Sequence, residues 1–396
     1  MVSAERRCAD VIAAEGEEGK RRGVAICMDC RHHSAEFAHA AAEVCAANGI
    51  HVRIFESLRP TPELSFAVRY YGCQAGINVT ASHNPKEYNG YKVYWADGAQ
   101  LPPHHADAIA KRLGEIDIFN DIKTMPYDEA VKAGLIEILG AETDEKFLAN
   151  VMGQVNDAET VAKVADTFKL VYTPFHGTGH KLIPEALKRL GIKHLICVPE
   201  QMVIDGNFPT VKSPNPQNGD ALTMALNLAK SSDPDLVMAS DPEPARVGRP
   251  SKNDNGVCSL VDGNQTCMIF LYYIIMNRKA QGKMKGNEFI VKTIVTTELI
   301  KAIAEKNEIK MYDCYTGFKW IARQIRLNEG KLQYIGGGEE SYGFLAEDFV
   351  RDKDAVSACS LLAEICAWAK DQGKTLYDVL MDIYMEYGLS VNKTIN

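Results

Sequence analysis

The side chains best suited to chemistry lie in one polar stretch, residues 80–92, which reads TASHNPKEYNGYK. Ser82 offers a hydroxyl, and His83, Lys86 and Lys92 follow it closely in the chain. A hydroxyl with basic side chains around it suits a group that carries an anion. On its own, however, the same stretch is also typical of a Ser/Asn-rich surface loop with solvated lysines.

The neighbouring pattern predicts a rigid setting for this serine. The apolar residues 76–79 predict a strand that ends just before Ser82, and Pro85 excludes a helix at that point. An Asn-Gly pair then predicts a turn before a second strand at residues 91–95. Because α/β sheets bind their ligands beyond the ends of strands, we expect the Ser82 hydroxyl in a binding position.

Strand and helix patterns alternate along the whole chain of 396 residues. A chain of this length forms two or three domains, each with its own core. The alternation predicts sheets that are mainly parallel and covered on both faces. We therefore expect an α/β protein of three consecutive domains with mixed, mainly parallel sheets, at residues 1–155, 156–283 and 284–396. Within the first domain, residues 117–139 are expected to be irregular.

The amino-acid composition limits the classes of binding partner and the cellular compartment that we expect. The net charge of −8 and the pI of about 5.8 argue against a nucleic-acid surface. The longest apolar run, residues 268–276, is too short to span a bilayer, so we expect no membrane partner. Among the eleven cysteines, Cys27 and Cys30 form a C-x-x-C that fits a redox site or half of a zinc site. Cys27 lies in an apolar strand pattern, which favours buried, reduced thiols and a cytoplasmic protein.

Residues 80–92 closely resemble the phosphoserine signature, TASHNP followed by YNGYK, of the α-D-phosphohexomutases, the phosphoglucomutase and phosphomannomutase superfamily. Further matches recur in the same order along essentially the whole chain, and they are nearest to the long bacterial phosphoglucomutase branch. The resemblance implies an enzyme, an isomerase that interconverts glucose 1-phosphate and glucose 6-phosphate. It also implies that phospho-Ser82 gives its phosphoryl group to the sugar, with glucose 1,6-bisphosphate as the intermediate.

The resemblance assigns roles to further residues of the first domain. Ser82 carries the phosphoryl group with His83 beside it, and Lys92 is the candidate general acid or base. In the family an Asp-x-Arg turn lies near the phosphoserine, which makes Arg31 a candidate catalytic contact to the phosphate. The alternative for Arg31 is a surface arginine without that role.

Residues 240–248, SDPEPARVG, resemble the magnesium loop of the family, D-P-D-A-D-R-V-G. In such a loop three carboxylates at alternate positions converge on one hard cation. The phosphoserine supplies a further oxygen. The resemblance therefore implies Mg²⁺ (magnesium) as the cofactor, with Asp241, Glu243 and Ser82 as its ligands. It also implies that Arg246 is a catalytic residue that helps to hold the site.

The loop departs from the family pattern at its second and third acidic positions. Glu243 is one methylene longer than the usual aspartate, and Ala245 has no oxygen to offer. We expect weaker binding of Mg²⁺ as a result, with water filling the vacant position. The next residues, Arg249, Pro250 and Ser251, replace an apolar strand of the family, and they are not expected to continue a strand.

Two later stretches resemble the substrate-binding part of the family. Residues 336–343, GGGEESYG, resemble the sugar-binding loop, in which Glu339 and Ser341 point to one side and grip neighbouring sugar hydroxyls. Lys319 lies in a segment that resembles the T-G-x-K of the family, so it is a candidate contact to the distal phosphate or the sugar. The alternative for the loop is a β-turn with incidental polar residues.

The early G-T-x-G-x-R turn and the fourth, phosphate-binding domain of the family have no match in this chain. We therefore expect a mutase that is truncated at both ends and impaired in turnover. One alternative is a non-catalytic remnant that binds sugar phosphates, and another is phosphomannomutase or phosphopentomutase specificity. A dinucleotide-binding oxidoreductase is disfavoured, because no G-x-G-x-x-G follows an N-terminal strand.

Overall fold

The computed structural model describes residues 2–101, 103–113, 117, 120–252 and 258–392, and in these residues three β-sheets follow one another along the chain. The strands of the first sheet are β1 (Val24–Met28), β2 (Val52–Phe55), β3 (Ala75–Val79), β4 (Tyr91–Trp95) and β5 (Ile136–Leu139). Their spatial order is β4-β3-β1-β2-β5. All neighbours pair in parallel except β4, which runs antiparallel to β3 at one edge.

The other two sheets are also mixed and mainly parallel at their centres. Their strands are β6 (Lys169–Thr173), β7 (His194–Cys197), β8 (Leu236–Ser240), β9 (Val247–Lys252), β10 (Cys258–Val261), β11 (Glu288–Thr293), β12 (Lys310–Cys314), β13 (Gln333–Gly338) and β14 (Phe344–Leu345). The second sheet has the order β10-β9-β8-β6-β7, and the third has the order β12-β11-β13-β14. In the second sheet β9 is antiparallel to both neighbours, and in the third β14 is antiparallel to β13.

Helices connect and cover these strands. They are α1 (Val2–Ala14), α2 (Gly16–Arg22), α3 (Ser34–Ala47), α4 (Thr61–Tyr70), α5 (Pro103–Leu113), α6 (Tyr127–Lys132), α7 (Ala141–Gly153), α8 (Ala158–Val164), α9 (Gly179–Leu190), α10 (Pro199–Met202), α11 (Thr223–Ser232), α12 (Gly263–Ala280), α13 (Leu299–Lys306), α14 (Phe318–Asn328), α15 (Ala355–Asp371) and α16 (Leu376–Tyr387), with a 3-10 turn at Gly219–Leu222. The prediction of three α/β domains with mixed, mainly parallel sheets is confirmed.

The first sheet is covered on both faces, as its uninterrupted apolar strands require. On one face α3 packs through small residues such as Ala38, Ala41 and Ala42, which let the helix approach closely. On the other face α4 packs through Leu64 and Val68. The carboxyl ends of the central strands remain open between these layers, and the loop that contains Ser82 begins there.

Helix α15 joins the second and third domains. Almost every residue is buried, because the sequence AVSACSLLAEICAWAKD is apolar or small around nearly the whole circumference. Asp354 caps its N-terminus by accepting hydrogen bonds from the N–H groups of Val356 and Ser357. Since α15 is fixed in a core shared by two domains, the residue before its cap, Lys353, also has a fixed position.

Two local predictions are wrong. Residues 117–139 were expected to be irregular, but they contain the short helix α6 and the strand β5, which pairs with β2 at the edge of the first sheet. Arg249, Pro250 and Ser251 were not expected to continue a strand, but they lie within β9. Among the described residues, β9 pairs beyond Gly248 only with β10, so the missing N–H of Pro250 interrupts no ladder on the other side.

The domain boundaries at residues 155/156 and 283/284 stay predictions. Helix α12, which precedes the second boundary, packs on the third sheet through Phe270 against Phe344, with ring centroids 4.7 Å apart. Cys27 is buried in β1, as expected, and burial raises the pKa of its thiol. No helix in the described part of the chain is long and apolar enough to cross a membrane. A cytoplasmic location stays a prediction.

Candidate active site

Ser82 lies in a tight turn between β3 and β4, in a backbone conformation that serine rarely adopts. Its φ is 57°, in the left-handed region that favours glycine. The Ser82 N–H donates to Thr80 Oγ1 at 2.9 Å, which holds the turn from within. A Cβ atom on Gly90 would lie 2.4 Å from the carbonyl oxygen of Thr80, so the returning chain needs glycine there. Such strained residues persist where surrounding contacts enforce them, often at functional sites.

Arg31 makes many of the contacts that hold the turn in this conformation. Its Nη1 donates to the carbonyl oxygens of Pro85 and Tyr88, each at 2.8 Å, and its Nη2 donates to those of Ser82 and Asn84 at 2.9 and 2.6 Å. The side chain is fully buried and its Nε pairs with a carboxylate oxygen of Asp29 at 3.2 Å. Arg31 therefore positions the loop through four backbone carbonyls. The expected contact between Arg31 and a phosphate stays a prediction.

His83 lies directly against the serine hydroxyl. The distance between Ser82 Oγ and His83 Nδ1 is 3.1 Å. Burial and the nearby charge of Arg246 lower the pKa of His83 to about 4. The imidazole is therefore neutral at pH 7, and its Nδ1 accepts a hydrogen bond from Ser82 or donates one to it, depending on the tautomer.

Lys92 and Glu243 form an ion pair between the first and second domains. Lys92 Nζ donates to both carboxylate oxygens of Glu243, at 2.7 and 2.8 Å. Glu243 is buried, and Thr61 Oγ1 donates to its Oε2 at 2.8 Å. Burial raises the pKa of Glu243, but the charges of Lys92 and Lys353 and a hydrogen bond from Ser82 outweigh it and hold this pKa at about 2. Glu243 is thus an anion next to Ser82.

Asp241 offers an oxygen that lacks a partner. Its Oδ1 accepts the N–H groups of Ala245 and Arg246 at 2.8 and 3.0 Å. Its Oδ2 is buried, and no hydrogen-bond donor reaches it from the described residues. Burial and the neighbouring anion Glu243 raise the pKa of Asp241. An orphaned carboxylate oxygen of this kind is a candidate ligand for a cation.

The loop fits a magnesium site only in part. Asp241 Oδ2 is open, but both oxygens of Glu243 carry the Lys92 ammonium, and Ala245 has no oxygen. Among the residues that the structure describes, no group of three or more His, Cys, Asp or Glu side chains is placed to hold a metal. The donor set therefore does not match three carboxylates converging on one cation.

The predicted sugar loop lies beside the predicted magnesium loop. Arg246 forms an antiparallel β-bridge with Gly343, and the Val247 N–H donates to the carbonyl oxygen of Tyr342 at 3.4 Å. Glu339 Oε1 accepts the N–H of Gly317 at 2.9 Å. Burial raises the pKa of Glu339, while the charge of a nearby lysine opposes the increase. The structure therefore brings Ser82, Asp241, Glu243 and Glu339 together from loops of three domains.

Lys353 is a site residue that the sequence did not reveal. It is buried, and its Nζ pairs with Asp352 Oδ1 at 3.2 Å. Burial lowers its pKa, but the carboxylates of Asp352, Glu243 and Glu339 outweigh burial and leave that pKa raised. Lys353 is therefore a cation between the Ser82 and sugar loops. The only sequence signal was an Arg-Asp-Lys-Asp run just before a strongly apolar helix, and charged runs before helices are usually solvated.

Two predicted residues stand apart from this group. Lys319 is exposed at the start of α14, where its Nζ lies 5.5 Å from the ring centroid of Trp320. Ser341 is half-buried in the sugar loop. The roles of Lys319 and Ser341 in substrate binding stay predictions, as do the roles of the other site residues.

Comparison with known proteins agrees with this architecture. The models of the phosphoglucomutase/phosphomannomutase α/β/α domains I, II and III match residues 3–118, 145–252 and 262–387. The phosphoglucomutase of Staphylococcus haemolyticus is 34% identical over 367 residues, which are 92% of this chain and 65% of that protein. The chain belongs to the phosphoglucomutase/phosphomannomutase family. It spans slightly less than two thirds of the length of such curated relatives.

Solved structures show the same fold. A putative phosphomannomutase from Thermus thermophilus superimposes with a TM-score of 0.80 at 23% identity, over 98% of this chain and 79% of that one. The N-acetylphosphoglucosamine mutase of Aspergillus fumigatus, crystallised with GlcNAc-6P and magnesium, gives a TM-score of 0.55 at 15% identity, over 82% and 76% of the two chains. At these identities the likeness extends to the fold alone.

Proposed function

We propose that this chain forms the phosphoryl-transfer site of a phosphohexomutase that interconverts glucose 1-phosphate and glucose 6-phosphate through glucose 1,6-bisphosphate. The observation that carries the proposal is the meeting of Ser82, Glu243 and Glu339, with Lys92 and Lys353 between them. The serine hydroxyl can carry a phosphoryl group there, and the two lysines balance its charge. The sugar would lie against the carboxylate of Glu339.

In the proposed step, the bond between phosphorus and Ser82 Oγ breaks, and a bond between phosphorus and a sugar hydroxyl oxygen forms. The sugar hydroxyl loses a proton, and Ser82 Oγ gains one. Lys92 donates hydrogen bonds to Glu243, so its ammonium suits the acid better than the base. The neutral imidazole of His83, 3.1 Å from Ser82 Oγ, is placed to accept the serine proton in the reverse transfer, when Ser82 Oγ takes a phosphoryl group from the sugar. The bisphosphate then turns over and returns its other phosphoryl group to Ser82.

Mg²⁺ stays a prediction for this chain, with Asp241 as the ligand that offers an open oxygen. A bound divalent cation would neutralise charge on the transferring phosphoryl group. Because Glu243 and Ala245 do not complete the donor set, no step is assigned to the cation. Support for sugar phosphates as ligands comes from the Aspergillus mutase crystallised with GlcNAc-6P, and support for glucose phosphates comes from the staphylococcal phosphoglucomutase.

A second candidate function is the non-catalytic binding of sugar phosphates. The observation that favours it is the incomplete cation loop, in which Ala245 replaces an acid and Glu243 is already paired. Such a protein would retain Glu339 and Lys353 for the ligand but would lack turnover.

A coupled assay distinguishes the two functions. Glucose 1-phosphate is supplied with glucose 1,6-bisphosphate, and glucose 6-phosphate is followed through its dehydrogenase. We expect turnover that Ser82→Ala abolishes, whereas equal rates for the two proteins would remove the catalytic proposal and leave binding. The same assay with mannose 1-phosphate and ribose 1-phosphate tests the alternative specificities. Calorimetry with glucose 1,6-bisphosphate then measures binding without turnover.

A further inference from the structure

The loop at residues 241–245 leaves one carboxylate oxygen open. Asp241 Oδ1 accepts two backbone N–H groups, and Asp241 Oδ2 has no hydrogen-bond donor among the described residues. Glu243 accepts the Lys92 ammonium on both oxygens. Mg²⁺ prefers near-octahedral oxygen ligands and keeps water where the protein offers too few. One open oxygen, with the neighbouring carboxylate already paired to an ammonium, is a poor start for such a site.

Residues of the first domain hold the Glu243 carboxylate in the orientation that pairs with Lys92. Thr61 Oγ1 donates to Glu243 Oε2 at 2.8 Å, and Asn78 Nδ2 donates to Thr61 Oγ1 at 2.7 Å. The Thr61 N–H also donates to the backbone carbonyl of Glu243 at 3.0 Å. A buried chain of hydrogen bonds therefore orients the carboxylate toward β4. A divalent cation that uses Glu243 must displace Lys92 or lie beside its positive charge, and burial makes that repulsion strong.

We propose that the Lys92 ammonium, clamped on Glu243, occupies in this chain the place that a divalent cation takes in a three-carboxylate loop. A single ammonium carries half the charge of Mg²⁺, and the buried cation Lys353 next to Glu243 adds to it. The loop is therefore held closed by a side chain and binds Mg²⁺ weakly.

The part of this inference that concerns the phosphoryl group rests on the proposed function, but the binding of the cation does not. Cation titration needs no turnover, so its failure is distinguishable from a failure of the mutase assay. The probes are Mg²⁺ followed by calorimetry and Mn²⁺ followed by electron paramagnetic resonance, both on the full chain without sugar phosphate.

We expect Lys92→Met to bind Mg²⁺ at least about tenfold more tightly than the wild type, because Glu243 is released. This change also leaves the buried carboxylate of Glu243 without its main partner. A second variant therefore keeps Lys92 and restores aspartates at positions 243 and 245. Glu243→Asp combined with Ala245→Asp is likewise expected to bind at least about tenfold more tightly. Saturating Mg²⁺ should then raise the unfolding temperature of the double variant and leave that of the wild type unchanged.

Lys86→Met is the matched control, because Lys86 is an exposed lysine of the same loop. This variant should bind Mg²⁺ with the same affinity as the wild type. The proposal is overturned if the wild type binds Mg²⁺ as tightly as the double variant. It is equally overturned if folded Lys92→Met, checked by its circular dichroism, binds no better than Lys86→Met.

Discussion

Arg246 and Gly343 pair in an antiparallel β-bridge that joins the loop of the second domain to the glycine-rich loop of the third. A Cβ atom on Gly343 would lie 2.7 Å from Lys353 Cδ and 3.0 Å from Glu339 Oε2. Because Gly343 has no side chain, the β-bridge to Arg246 can form while the side chains of Lys353 and Glu339 pack against the Gly343 backbone. The site depends on this approach as much as on its charged side chains.

The first prediction concerns that glycine. In Gly343→Ala the added methyl group must push Lys353 or Glu339 aside, and overpacking of this kind typically costs about 1–3 kcal/mol of unfolding free energy. We also expect the affinity for glucose 1,6-bisphosphate, measured by calorimetry, to fall about tenfold, a loss of about 1.4 kcal/mol of binding. Gly153→Ala is the control, because a Cβ atom there meets nothing within 4 Å. Equal affinity and stability for the two variants would contradict the prediction.

Short stretches of sequence were enough to predict the segments of the site whose conformation depends on neighbouring residues. The turn at Ser82 and the loop at Glu339 are each defined by one contiguous run of residues. The pairing of Lys92 with Glu243 joins residues 151 positions apart, and the resemblance to the family implied separate roles for them, as acid or base and as metal ligand. Nothing in either run indicates that one side chain satisfies the other.

The missed features depend on tertiary packing. Lys353 is a site residue because α15 is buried on all sides and fixes the residue before its cap. Pro250 lies in a strand because β9 has lost one of its neighbours at that point, so proline interrupts no ladder. In both cases the deciding information is which other element lies alongside, and periodicity within one segment does not contain it.

The second prediction compares two fully buried arginines. None of the three side-chain nitrogens of Arg249 has a hydrogen-bond partner among the described residues, and burial lowers the pKa of this guanidinium to about 10. Arg351 is equally buried, but its Nη2 pairs with Glu329 at 3.1 Å and with Asp348 at 3.2 Å. An unpaired buried charge lowers the free energy of unfolding. Removing one member of a buried ion pair also lowers it, because the other charge is left without a partner.

Arg249→Met should therefore raise the free energy of unfolding, by about 1–4 kcal/mol, and Arg351→Met should lower it by a similar or larger amount. Urea unfolding of both variants at one pH measures the difference. A loss of stability in Arg249→Met as large as that in Arg351→Met would mean that Arg249 has a partner.

The third prediction is a pH dependence. Burial raises the pKa of Glu364 from about 4.5 to about 7, although Tyr273 Oη and the N–H groups of Asn156 and Asp157 donate to its Oε1. Because the folded-state pKa lies above the unfolded one, the neutral acid favours folding. Its contribution is fully present below about pH 4.5 and is lost as the pH rises through about 7.

Glu364→Gln keeps the acceptor oxygen and cannot ionise. We expect wild type and variant to differ little in unfolding free energy at pH 5, and the variant to be more stable at pH 8 by an amount on the order of 1 kcal/mol. Urea unfolding at intervals between these pH values gives the curve. Glu159→Gln on the exposed face of α8 is the control, and the same pH trend in both variants would show that Glu364 is not the group that titrates.

The fourth prediction separates two roles for Arg31. If its main role is to hold the Ser82 turn through four backbone carbonyls, lysine cannot replace it, because an ammonium lacks the planar fork that reaches all four. Arg31→Lys should then slow the phosphorylation of Ser82 by glucose 1,6-bisphosphate about a hundredfold, since small misplacements of a reacting group have effects of that size. Mass spectrometry follows the phosphorylation, and limited proteolysis should show faster cleavage within residues 82–90.

Arg53→Lys is the control, because Arg53 pairs with Glu137 at 2.9 Å on the same sheet and touches no part of the loop. If Arg31 instead acts only by contacting phosphate, its lysine variant should keep the positive charge and the protease resistance of the loop. It would then lose affinity for the bisphosphate without any change in cleavage. A loop that resists protease equally in the two variants would therefore assign Arg31 to the ligand and not to the turn.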